Sequence, residues 1–359
     1  MKVLHVGEYA QGGVATYIRT LLSHPEYPDI EDFLICSEKN SERDWPISKE
    51  NIIYYSYSRN LMSIIPAIRA IKTAIDKIKP DVIYCHSTWA GLFVRLPQFV
   101  FSKKYRIIYN PHGWSFLRDT TKWKKNIYAL IERILLLKTD KIINVSYFEY
   151  NAAKRYGLDS EKQTVIYSGL AEKKTDVDKT IKLSDKKINI LFVGRFDPQK
   201  GVDYLLNVFN RCTRKDIHLT LIGDNVIGGL QIKKQNTDQI TFLGWVPHDK
   251  IASYYNACDA VIMPSRWEAF GLVAIEAMKY GKPVIASNRG ALPELIDSNA
   301  FGCLFDIEKQ DTLIDILKSL EKEDLKMKGL NAELVFKEKY RDKRMIHQTV
   351  NCYMEVSKL

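Results

Sequence analysis

The chain has 359 residues, of which 46% are apolar and 27% charged. This balance excludes a disordered or fibrous chain, and no run approaches the roughly 18 apolar residues that cross a bilayer as a helix. The length is sufficient for two domains of about 150 to 200 residues each. The formal net charge is +10, and most of the excess falls in the first 168 residues.

The positive charge of the N-terminal half indicates an anionic partner there. Nucleic acid, an anionic membrane surface and a phosphorylated acceptor are all open at this point, as is a charge that serves solubility alone. No nucleic-acid-binding motif is present, so we do not expect nucleic acid as a partner. Six cysteines stand apart, without a C-x-x-C pair, which predicts free thiols in a reducing cytosol.

Short β-branched runs alternate with helix-like stretches along the first half of the chain. The isoleucines of residues 64–78 recur at spacings of three and four, which predicts an amphipathic helix. Such alternation is typical of βαβ units around a parallel sheet. The predicted strands of this half are Val3–Gly7, Phe33–Ser37, Ile52–Tyr57, Val82–Ser87, Ile107–Asn110, Ile142–Ser146 and Thr164–Tyr167.

The alternation stops at residues 169–187, a charged stretch that we interpret as an interdomain linker. It resumes afterwards, and residues 342–359 are expected to form a helix that packs back toward the N-terminal domain. The sequence thus predicts an α/β protein with two doubly wound Rossmann-like domains, 1–168 and 188–341, facing a cleft. The predicted strands of the second half are Ile188–Gly194, Leu219–Gly223, Ile240–Leu243, Ala260–Pro264, Pro283–Ser287 and Gly302–Phe305.

Ligands of doubly wound folds bind beyond the carboxyl ends of the strands, so residues that follow strands are the candidates for a site. Gly12 and Gly13 follow the first strand and precede a helix, where glycine lets amides approach a phosphate. The spacing is not G-x-G-x-x-G, so a tight turn explains this pair equally well. His112 and Gly113 follow the fifth strand, where a histidine is placed to face a cleft, although a lone histidine is more often structural.

The loop after the first strand of the second half carries two cations. Gly194 and Arg195 end the strand, and Lys200 and Gly201 precede the next helix. Two positive side chains on one such loop suit the neutralisation of a leaving diphosphate. The alternative is a solvated surface loop.

The next two strands also end in glycine. One ends at Gly223, and the other at Gly244-Trp245-Val246. Backbone at the second position could hydrogen-bond a flat base, and Trp245 could either stack on a ligand or pack into the protein.

The segment Pro264–Met278 carries the strongest signal in the sequence. It follows an apolar strand and opens a helix, so the amides from Gly271 onward form a favourable position for a diphosphate. Glu268 precedes this helix and Glu276 lies within it. One carboxylate could accept hydrogen bonds from sugar hydroxyls and the other from ribose hydroxyls.

This segment resembles the E-x7-E signature of the retaining GT-B glycosyltransferases of group 1 and family 4. The loop 194–201, the pair 112–113 and the pair 12–13 fall where that family has its matching elements, so the resemblance covers nearly the whole chain. One departure is visible, because residues 167–169 are Tyr-Ser-Gly where many relatives have Pro-Asn-Gly at the domain junction.

The resemblance implies a hexosyltransferase that moves a sugar from a nucleotide-diphosphate sugar to an acceptor hydroxyl with retained configuration. It implies that Arg195 and Lys200 stabilise the leaving β-phosphate. Glu268 and His112 would then contact the transferred sugar, and Glu276 the ribose. The other donor-binding residues that it implies are Gly12, Gly13, Gly194, Gly223, Trp245, Val246, Phe270, Gly271, Leu272 and Val273.

No metal and no cofactor are expected. Asp176-Val177-Asp178 matches the D-x-D metal pattern of a different glycosyltransferase fold, but no strand precedes it. The seven histidines also lack the spacing of zinc ligands.

A UDP-sugar is favoured over GDP-mannose as donor, and the expected acceptor is a polysaccharide or lipid-linked oligosaccharide in surface polysaccharide biosynthesis. Two alternatives remain open. A sugar-nucleotide epimerase on the same scaffold would need no acceptor, and a non-catalytic nucleotide-sugar binding module would show no turnover.

The region 103–125 holds seven cations together with Trp123. It suits an interfacial surface for anionic lipid and equally a solvated helix start. We therefore expect a cytoplasmic enzyme, peripheral at the inner face of the cytoplasmic membrane if this surface binds lipid. The cations are Lys103, Lys104, Arg106, Arg118, Lys122, Lys124 and Lys125.

Overall fold

The structure is a computed structural model that describes residues 1–100, 105–158, 161–178, 180–226 and 229–358. The chain divides into two compact units, and each has its own parallel sheet and hydrophobic core. The first unit comprises Met1–Gly169 with Asp342–Leu359, and the second comprises Leu170–Arg341.

The first unit contains seven strands and six α-helices within the described residues. The strands are β1 Lys2–Gly7, β2 Glu31–Ser37, β3 Ile52–Tyr55, β4 Val82–His86, β5 Arg106–Asn110, β6 Lys141–Asn144 and β7 Gln163–Val165. The helices are α1 Gly13–Leu21, α2 Ile64–Ile78, α3 Thr88–Arg95, α4 Lys122–Leu136, α5 Tyr147–Arg155 and, after the second unit, α12 Asp342–Ser357.

The sheet of the first unit has the order β3-β2-β1-β4-β5-β6-β7, and its pairs are parallel. β1 and β4 lie at its centre and are buried almost throughout, as expected of parallel strands covered by helices on both faces. The predicted helix over residues 64–78 is present as α2, which buries Ile71, Ile75 and Ile78 along one face. Lys79 ends this helix in the left-handed region, with φ 53°, before Pro80.

The second unit contains six strands and six α-helices in the residues that the structure describes. The strands are β8 Ile188–Val193, β9 Ile217–Ile222, β10 Ile240–Gly244, β11 Ala260–Met263, β12 Val284–Ser287 and β13 Gly302–Phe305. The helices are α6 Val202–Arg211, α7 His248–Ala257, α8 Leu272–Lys279, α9 Leu292–Leu295, α10 Gln310–Ser319 and α11 Lys322–Lys339.

The parallel sheet of the second unit has the order β10-β9-β8-β11-β12-β13. The strand order reverses at β8, so β9 and β11 flank it and the loops after β8 and β11 lie side by side. Ligands of doubly wound folds bind at such a switch point. All thirteen predicted strands are present, with ends that differ by at most two residues, and the predicted class of two Rossmann-like α/β domains is confirmed.

Helix α12 completes the first unit although it follows the second unit in the chain. It packs on α1, and the Lys141 ammonium lies 3.0 Å from the Glu355 carboxylate. Gly169 donates its amide to the Met345 sulfur. The charged segment that follows Gly169 lies on the second unit, where Lys174 pairs with Glu333 at 3.1 Å.

None of the helices in the described ranges combines the length and the apolar character that a membrane span requires.

Candidate active site

The loops after β8 and β11 are joined by backbone and side-chain hydrogen bonds. The Arg266 amide donates to the Gln199 carbonyl at 2.7 Å, and the Gln199 side chain donates to the Trp267 carbonyl at 3.0 Å. Gly201 makes the approach possible, because a Cβ there would lie 2.1 Å from the Pro264 carbonyl oxygen and the residue has φ 69°. This contact brings Lys200 beside the motif that contains Glu268.

Lys200 and Glu268 form a close ion pair at the ends of these strands. The Lys200 Nζ atom lies 2.5 Å from Glu268 Oε1, and Ser265 Oγ donates to the same oxygen at 2.9 Å. Glu268 is buried, whereas the Lys200 side chain keeps some exposure. Both contacts use Oε1, so within the described residues Oε2 has no hydrogen-bond donor and is left for a ligand.

Gly290 supports Glu268 from behind, and sequence reasoning did not identify it. It follows β12 with φ 61°, and a Cβ there would lie 2.2 Å from the Glu268 carbonyl oxygen. The Ala291 amide donates to that oxygen at 3.0 Å. The signal in the sequence is a glycine shortly after a buried strand, the same pattern that singled out Gly194 and Gly223.

Arg195 is oriented by Asp197, a second residue that sequence reasoning missed. The Arg195 guanidinium lies 3.0 Å from Asp197 Oδ2, while Asp197 Oδ1 accepts the Lys200 amide at 3.0 Å. One buried carboxylate thus orients both cationic residues of the loop. Arg195 remains 45% exposed, so its free guanidinium edge can meet an anion.

Gly194 and Gly223 contact each other through their backbones. A Cβ on Gly223, which has φ 133°, would lie 1.8 Å from the Gly194 carbonyl oxygen. Gly194 also donates its amide to the Ile222 carbonyl at 3.0 Å. The first contact explains why residue 223 is glycine, since the loops after β8 and β9 pack together there.

Helix α8 begins beside Glu268. Gly271 precedes it with φ 108°, and Leu272 and Val273 supply its first amides, which have no acceptor within a helix. This is the end of a helix that favours an anion. Phe270 is 4% exposed and packs edge-on against Tyr340, so its ring belongs to the core and its backbone is what a donor could contact.

Glu276 lies one turn further along α8, on the partly exposed side of the helix. Tyr255 donates its hydroxyl to Glu276 Oε2 at 2.7 Å. Burial, together with the charge of Glu276, raises the pKa of Tyr255 well above its usual value, so this hydroxyl stays protonated as a donor. The other oxygen, Oε1, accepts no hydrogen bond from the residues that the structure describes.

The Trp245 ring does not pack into the protein. It follows Gly244, which ends β10 with φ 71°, and the side chain is 61% exposed. Val246 is partly buried. An exposed indole at the end of β10 is therefore available for stacking on a base.

In the first unit, Gly12 is the N-cap of α1 with φ 56°, and Gly13 is the first helical residue. The Gly12 amide donates to Glu42 Oε1 at 3.1 Å, and Glu42 pairs in turn with Arg19. The amide is therefore occupied by a carboxylate, and a phosphate that approached Gly12 would have to displace Glu42.

His112 follows β5 in the left-handed region, with φ 47°, and Gly113 continues the turn with φ 117°. A positive φ is uncommon for a residue with a side chain and is associated with functional sites. The ring is half-buried, packs 4.7 Å from the Tyr17 ring, and its Nε2 lies 3.1 Å from His86 Nδ1. Burial lowers the pKa of His112 to about 3, so the imidazole is neutral at physiological pH.

The remaining sequence candidates lie elsewhere. Lys103 and Lys104 lie outside the described residues, and Arg106 pairs with Asp140 at 3.4 Å. Asp178 of the D-x-D match accepts hydrogen bonds from Thr180. The described ranges contain no group of three or more acidic, histidine or cysteine side chains arranged to hold a metal ion.

The fold and the strand-end loops together define a class of protein. Two Rossmann-like units, with a cationic loop, a paired glutamate and a helix N-terminus at one sheet edge, characterise a GT-B glycosyltransferase. Residues 11–173 match the family model described as Glycosyltransferase Family 4, and residues 173–334 match the one described as Glycosyl transferases group 1. The chain belongs to this family of GT-B glycosyltransferases.

Two relatives have similar sequences over most of this chain. A Klebsiella pneumoniae protein described as "Uncharacterized 41.2 kDa protein in cps region" is 40% identical over 329 residues, covering 89% of this chain and 90% of the relative. The Escherichia coli "O-antigen biosynthesis glycosyltransferase WclY" is 27% identical and covers 76% of this chain and 78% of its own.

Solved structures share the fold at lower identity. Sucrose-phosphate synthase from Thermosynechococcus elongatus superposes with a TM-score of 0.83 at 19% identity and covers 99% of both chains. Anabaena Alr3699/HepE in complex with UDP has a TM-score of 0.77 at 19% identity, covering 99% of this chain and 100% of that one.

Proposed function

We propose that this glycosyltransferase moves a sugar from a nucleotide-diphosphate sugar to a hydroxyl of a glycan acceptor and retains the anomeric configuration. The observation that carries the proposal is the Lys200–Glu268 pair, held between Arg195 and the N-terminus of α8. A diphosphate needs positive charge where its leaving negative charge develops, and this edge of the sheet concentrates it.

Arg195 and Lys200 stabilise the leaving diphosphate. Asp197 orients the first through its carboxylate and the second through the backbone, so both charges are in place before the glycosidic bond breaks. Preorganised charges stabilise a transition state without a cost of reorientation at that moment. The amides of Leu272 and Val273 add donors to the same diphosphate.

The two glutamates bind the sugar and the ribose of the donor. Glu268 has Oε2 left for a sugar hydroxyl, and the ion pair to Lys200 holds its carboxylate beside the phosphate. Glu276 has Oε1 left for ribose hydroxyls. His112 contacts the transferred sugar, and Trp245 with the backbone of Val246 receives the base.

The reaction proceeds on the front face of the sugar in this proposal. The leaving phosphate takes the proton of the acceptor hydroxyl, while the new bond forms on the side from which the phosphate departs. No protein nucleophile is required, because the acceptor oxygen itself attacks the anomeric carbon on the face from which the phosphate leaves. The cations and amides neutralise the phosphate, so no metal ion or other cofactor is required either.

The relatives indicate the classes of donor and acceptor. Structures of the Anabaena protein contain UDP and UDP-glucose, which favours a UDP-sugar over GDP-mannose as donor. The Klebsiella relative is encoded in a cps region, and the Escherichia coli relative acts in O-antigen biosynthesis. We therefore propose a polysaccharide or lipid-linked oligosaccharide acceptor in surface polysaccharide biosynthesis.

The donor is identified by thermal shift with UDP-, GDP-, ADP- and dTDP-sugars, followed by transfer to lipid-linked acceptors in excess EDTA. We expect stabilisation by a UDP-sugar, because a ligand that binds only the folded state raises the melting temperature. Transfer should persist in EDTA and give a product with the donor's anomeric configuration by NMR.

Three outcomes contradict the proposal. Conversion of the donor without acceptor would indicate an epimerase, and binding without any turnover would indicate a binding module. A requirement for Mg²⁺ or Mn²⁺ after chelation would refute the metal-free mechanism.

We further propose that the enzyme works at an anionic membrane through α4 and the neighbouring residues Phe99 and Val100. Trp123, Ile127, Ile131 and Ile134 recur along one side of α4, and each is more than 40% exposed. The only acidic residue in this helix, Glu132, is buried against Arg95. The charged groups on its exposed side are therefore all cations, including Lys122 and Lys124.

The same surface extends beyond the helix. Phe99 and Val100 are exposed large apolar residues, and the Lys138 ammonium lies 5.1 Å from the Phe99 ring centroid. An apolar stripe flanked by cations is the pattern of a helix that lies in the interface of an anionic bilayer. The structure thus favours α4 as the lipid surface within the 103–125 region and beyond it.

Flotation with vesicles tests this surface. Wild-type protein should float with phosphatidylglycerol-containing vesicles and much less with pure phosphatidylcholine. Replacing Lys122 and Lys124 with alanine should weaken binding about 30-fold, because each cation near an anionic surface contributes roughly 1 kcal/mol. Ile127→Glu with Ile134→Glu should abolish it.

The matched control is Leu330→Glu, which places a charge on an exposed apolar position of α11 in the second unit. It should bind vesicles like the wild type. Equal binding by the Ile127→Glu/Ile134→Glu variant and this control would refute α4 as the lipid surface.

A further inference from the structure

Four histidines and one aspartate form a continuous hydrogen-bonded chain in the first unit. His112 Nε2 lies 3.1 Å from His86 Nδ1, and His86 Nε2 lies 3.1 Å from His5 Nδ1. His5 Nε2 lies 3.2 Å from Asp32 Oδ1, and the other Asp32 oxygen bonds to His24 Nε2. These residues come from β1, β2, β4 and the segments after α1 and β5.

The middle of this chain is closed to water. His86 is 0% exposed and His5 1%, while His24 lines a surface hollow of about 500 Å³ at the far end. The His5, His86 and His112 rings lie nearly parallel, with centroids 5.3 Å apart for His5 and His86 and 5.4 Å for His86 and His112. Each ring nitrogen of His5 and His86 has a partner, so neither ring can turn over without losing two hydrogen bonds.

Asp32 sets the direction in which protons point along the chain. Burial alone would raise the pKa of Asp32, but hydrogen bonds from His24 and His5 outweigh it and lower the pKa, so the carboxylate is ionised. The hydrogen bond to Asp32 raises the pKa of His24. An ionised carboxylate only accepts, and His5 must therefore present Nε2–H to it.

The position of the proton on His5 then determines the proton positions on His86 and His112. If His5 carries a single proton and that proton is on Nε2, its Nδ1 has only a lone pair, so His86 must donate from Nε2. Burial lowers the pKa of His86 well below its usual value, which keeps that ring neutral with a lone pair at Nδ1. His112 must in turn donate from Nε2.

Other titratable groups around the chain do not interfere. The Tyr84 ring packs 4.2 Å from His86, and the Tyr17 ring packs against both His86 and His112. Burial raises the pKa of Tyr17 to about 12 and that of Tyr84 well above its usual value, so both phenols stay neutral.

We propose that His5 carries a single proton, on Nε2, and that Asp32, acting through His5 and His86, is a positioning residue that fixes His112 in the Nε2–H tautomer. The Nδ1 atom of His112 then presents a lone pair, which among the described residues has no hydrogen-bond donor. Resting on the proposed function, this assigns His112 as an acceptor of a hydrogen bond from a hydroxyl of the donor sugar. The opposite tautomer would present an N–H instead and could not accept.

The tautomer is measured directly by two-bond ¹⁵N–¹H correlation spectra of the histidine rings in the wild-type protein. We expect the proton of His112 on Nε2. A proton on Nδ1 would overturn the proposal, whatever the enzymatic activity.

Two variants test whether Asp32 controls the tautomer of His112 through His5 and His86. Asp32→Asn and His86→Phe should each populate the Nδ1–H form of His112. The first replaces a carboxylate that can only accept by an amide that can also donate to His5, and the second removes the hydrogen bond between His5 and His112. Transfer should fall about 10-fold, the effect of one neutral hydrogen bond, while the affinity for free nucleotide diphosphate stays unchanged. Glu31→Gln is the matched control, since it removes the neighbouring, exposed carboxylate of β2.

The readouts separate this proposal from the function on which it rests. An unchanged His112 spectrum in both folded variants would overturn the proposed role of Asp32, but it would not contradict the proposed transferase activity. A changed His112 spectrum with unchanged transfer would support the control of the His112 tautomer by Asp32. It would also show that His112 does not contact the sugar.

Discussion

Replacing Lys200 or Arg195 with alanine is expected to lower turnover by at least about 100-fold, because each removes a preorganised charge from the leaving diphosphate. Steady-state transfer measured with saturating acceptor checks this. The effect of Lys200→Ala should be the larger of the two, since it also leaves the buried Glu268 carboxylate without its cation. Arg195 is more exposed, and its loss leaves the Lys200–Glu268 pair in place.

The control for these variants is Lys326→Ala, which removes an exposed cation from α11 of the same unit. It should transfer sugar at the wild-type rate. Wild-type kinetics in both Arg195→Ala and Lys200→Ala would show that the loop after β8 does not stabilise the leaving group.

The two glutamates of the main motif are expected to separate in their effects on nucleotide binding. Glu276→Gln should weaken free nucleotide diphosphate by about 1.5 to 3 kcal/mol, because it loses a charged acceptor for the ribose. The Tyr255 hydroxyl can still donate to the amide oxygen of the glutamine, which turns its amide nitrogen toward the ribose. An acceptor position thereby becomes a donor position.

Glu268→Gln should leave free nucleotide binding nearly unchanged and instead weaken the intact donor and slow transfer. Its oxygen binds the sugar, which free nucleotide lacks, although the ion pair with Lys200 is replaced by a hydrogen bond to a neutral amide oxygen. Calorimetric titration of both variants with nucleotide diphosphate and with donor measures the difference. Asp315→Asn, a change at an exposed carboxylate of α10, serves as control.

Equal losses of nucleotide affinity in Glu268→Gln and Glu276→Gln would mean that the two roles are not separable. The diphosphate would then lie closer to Glu268 than proposed, within reach of its pairing with Lys200.

Several features of the fold could be predicted because they depend on local patterns. Buried parallel strands appear as short β-branched runs, and all thirteen were found this way. The isoleucines of α2 recur at the helical period, and this spacing predicted the helix. Glycines at strand ends marked the loops after β8 and β11, since a close backbone approach or a positive φ tolerates little else.

Other features depend on contacts between distant parts of the chain. Asp197 carries no distinctive local signal, and its importance appears only where it orients Arg195. Gly290 follows a buried strand like the other strand-end glycines, but its contact with Glu268 appears only in the tertiary structure. The Trp245 side chain was ambiguous in sequence because a tryptophan after a strand packs or stacks with equal ease. Its exposure makes it available to a ligand, whereas the buried Phe270 ring is committed to the core.

The sequence by itself determined the alternation of strands and helices, the strand-end motifs and hence the family, because each is written in neighbouring residues. Only the tertiary structure decided how polar groups pair. His5, His86 and His112 lie far apart in the chain and lack any ligand spacing, yet parallel pairing of β1, β4 and β5 places them in one hydrogen-bonded line. Strand order brings such residues together, and strand order is set by packing across the whole sheet rather than by local propensity.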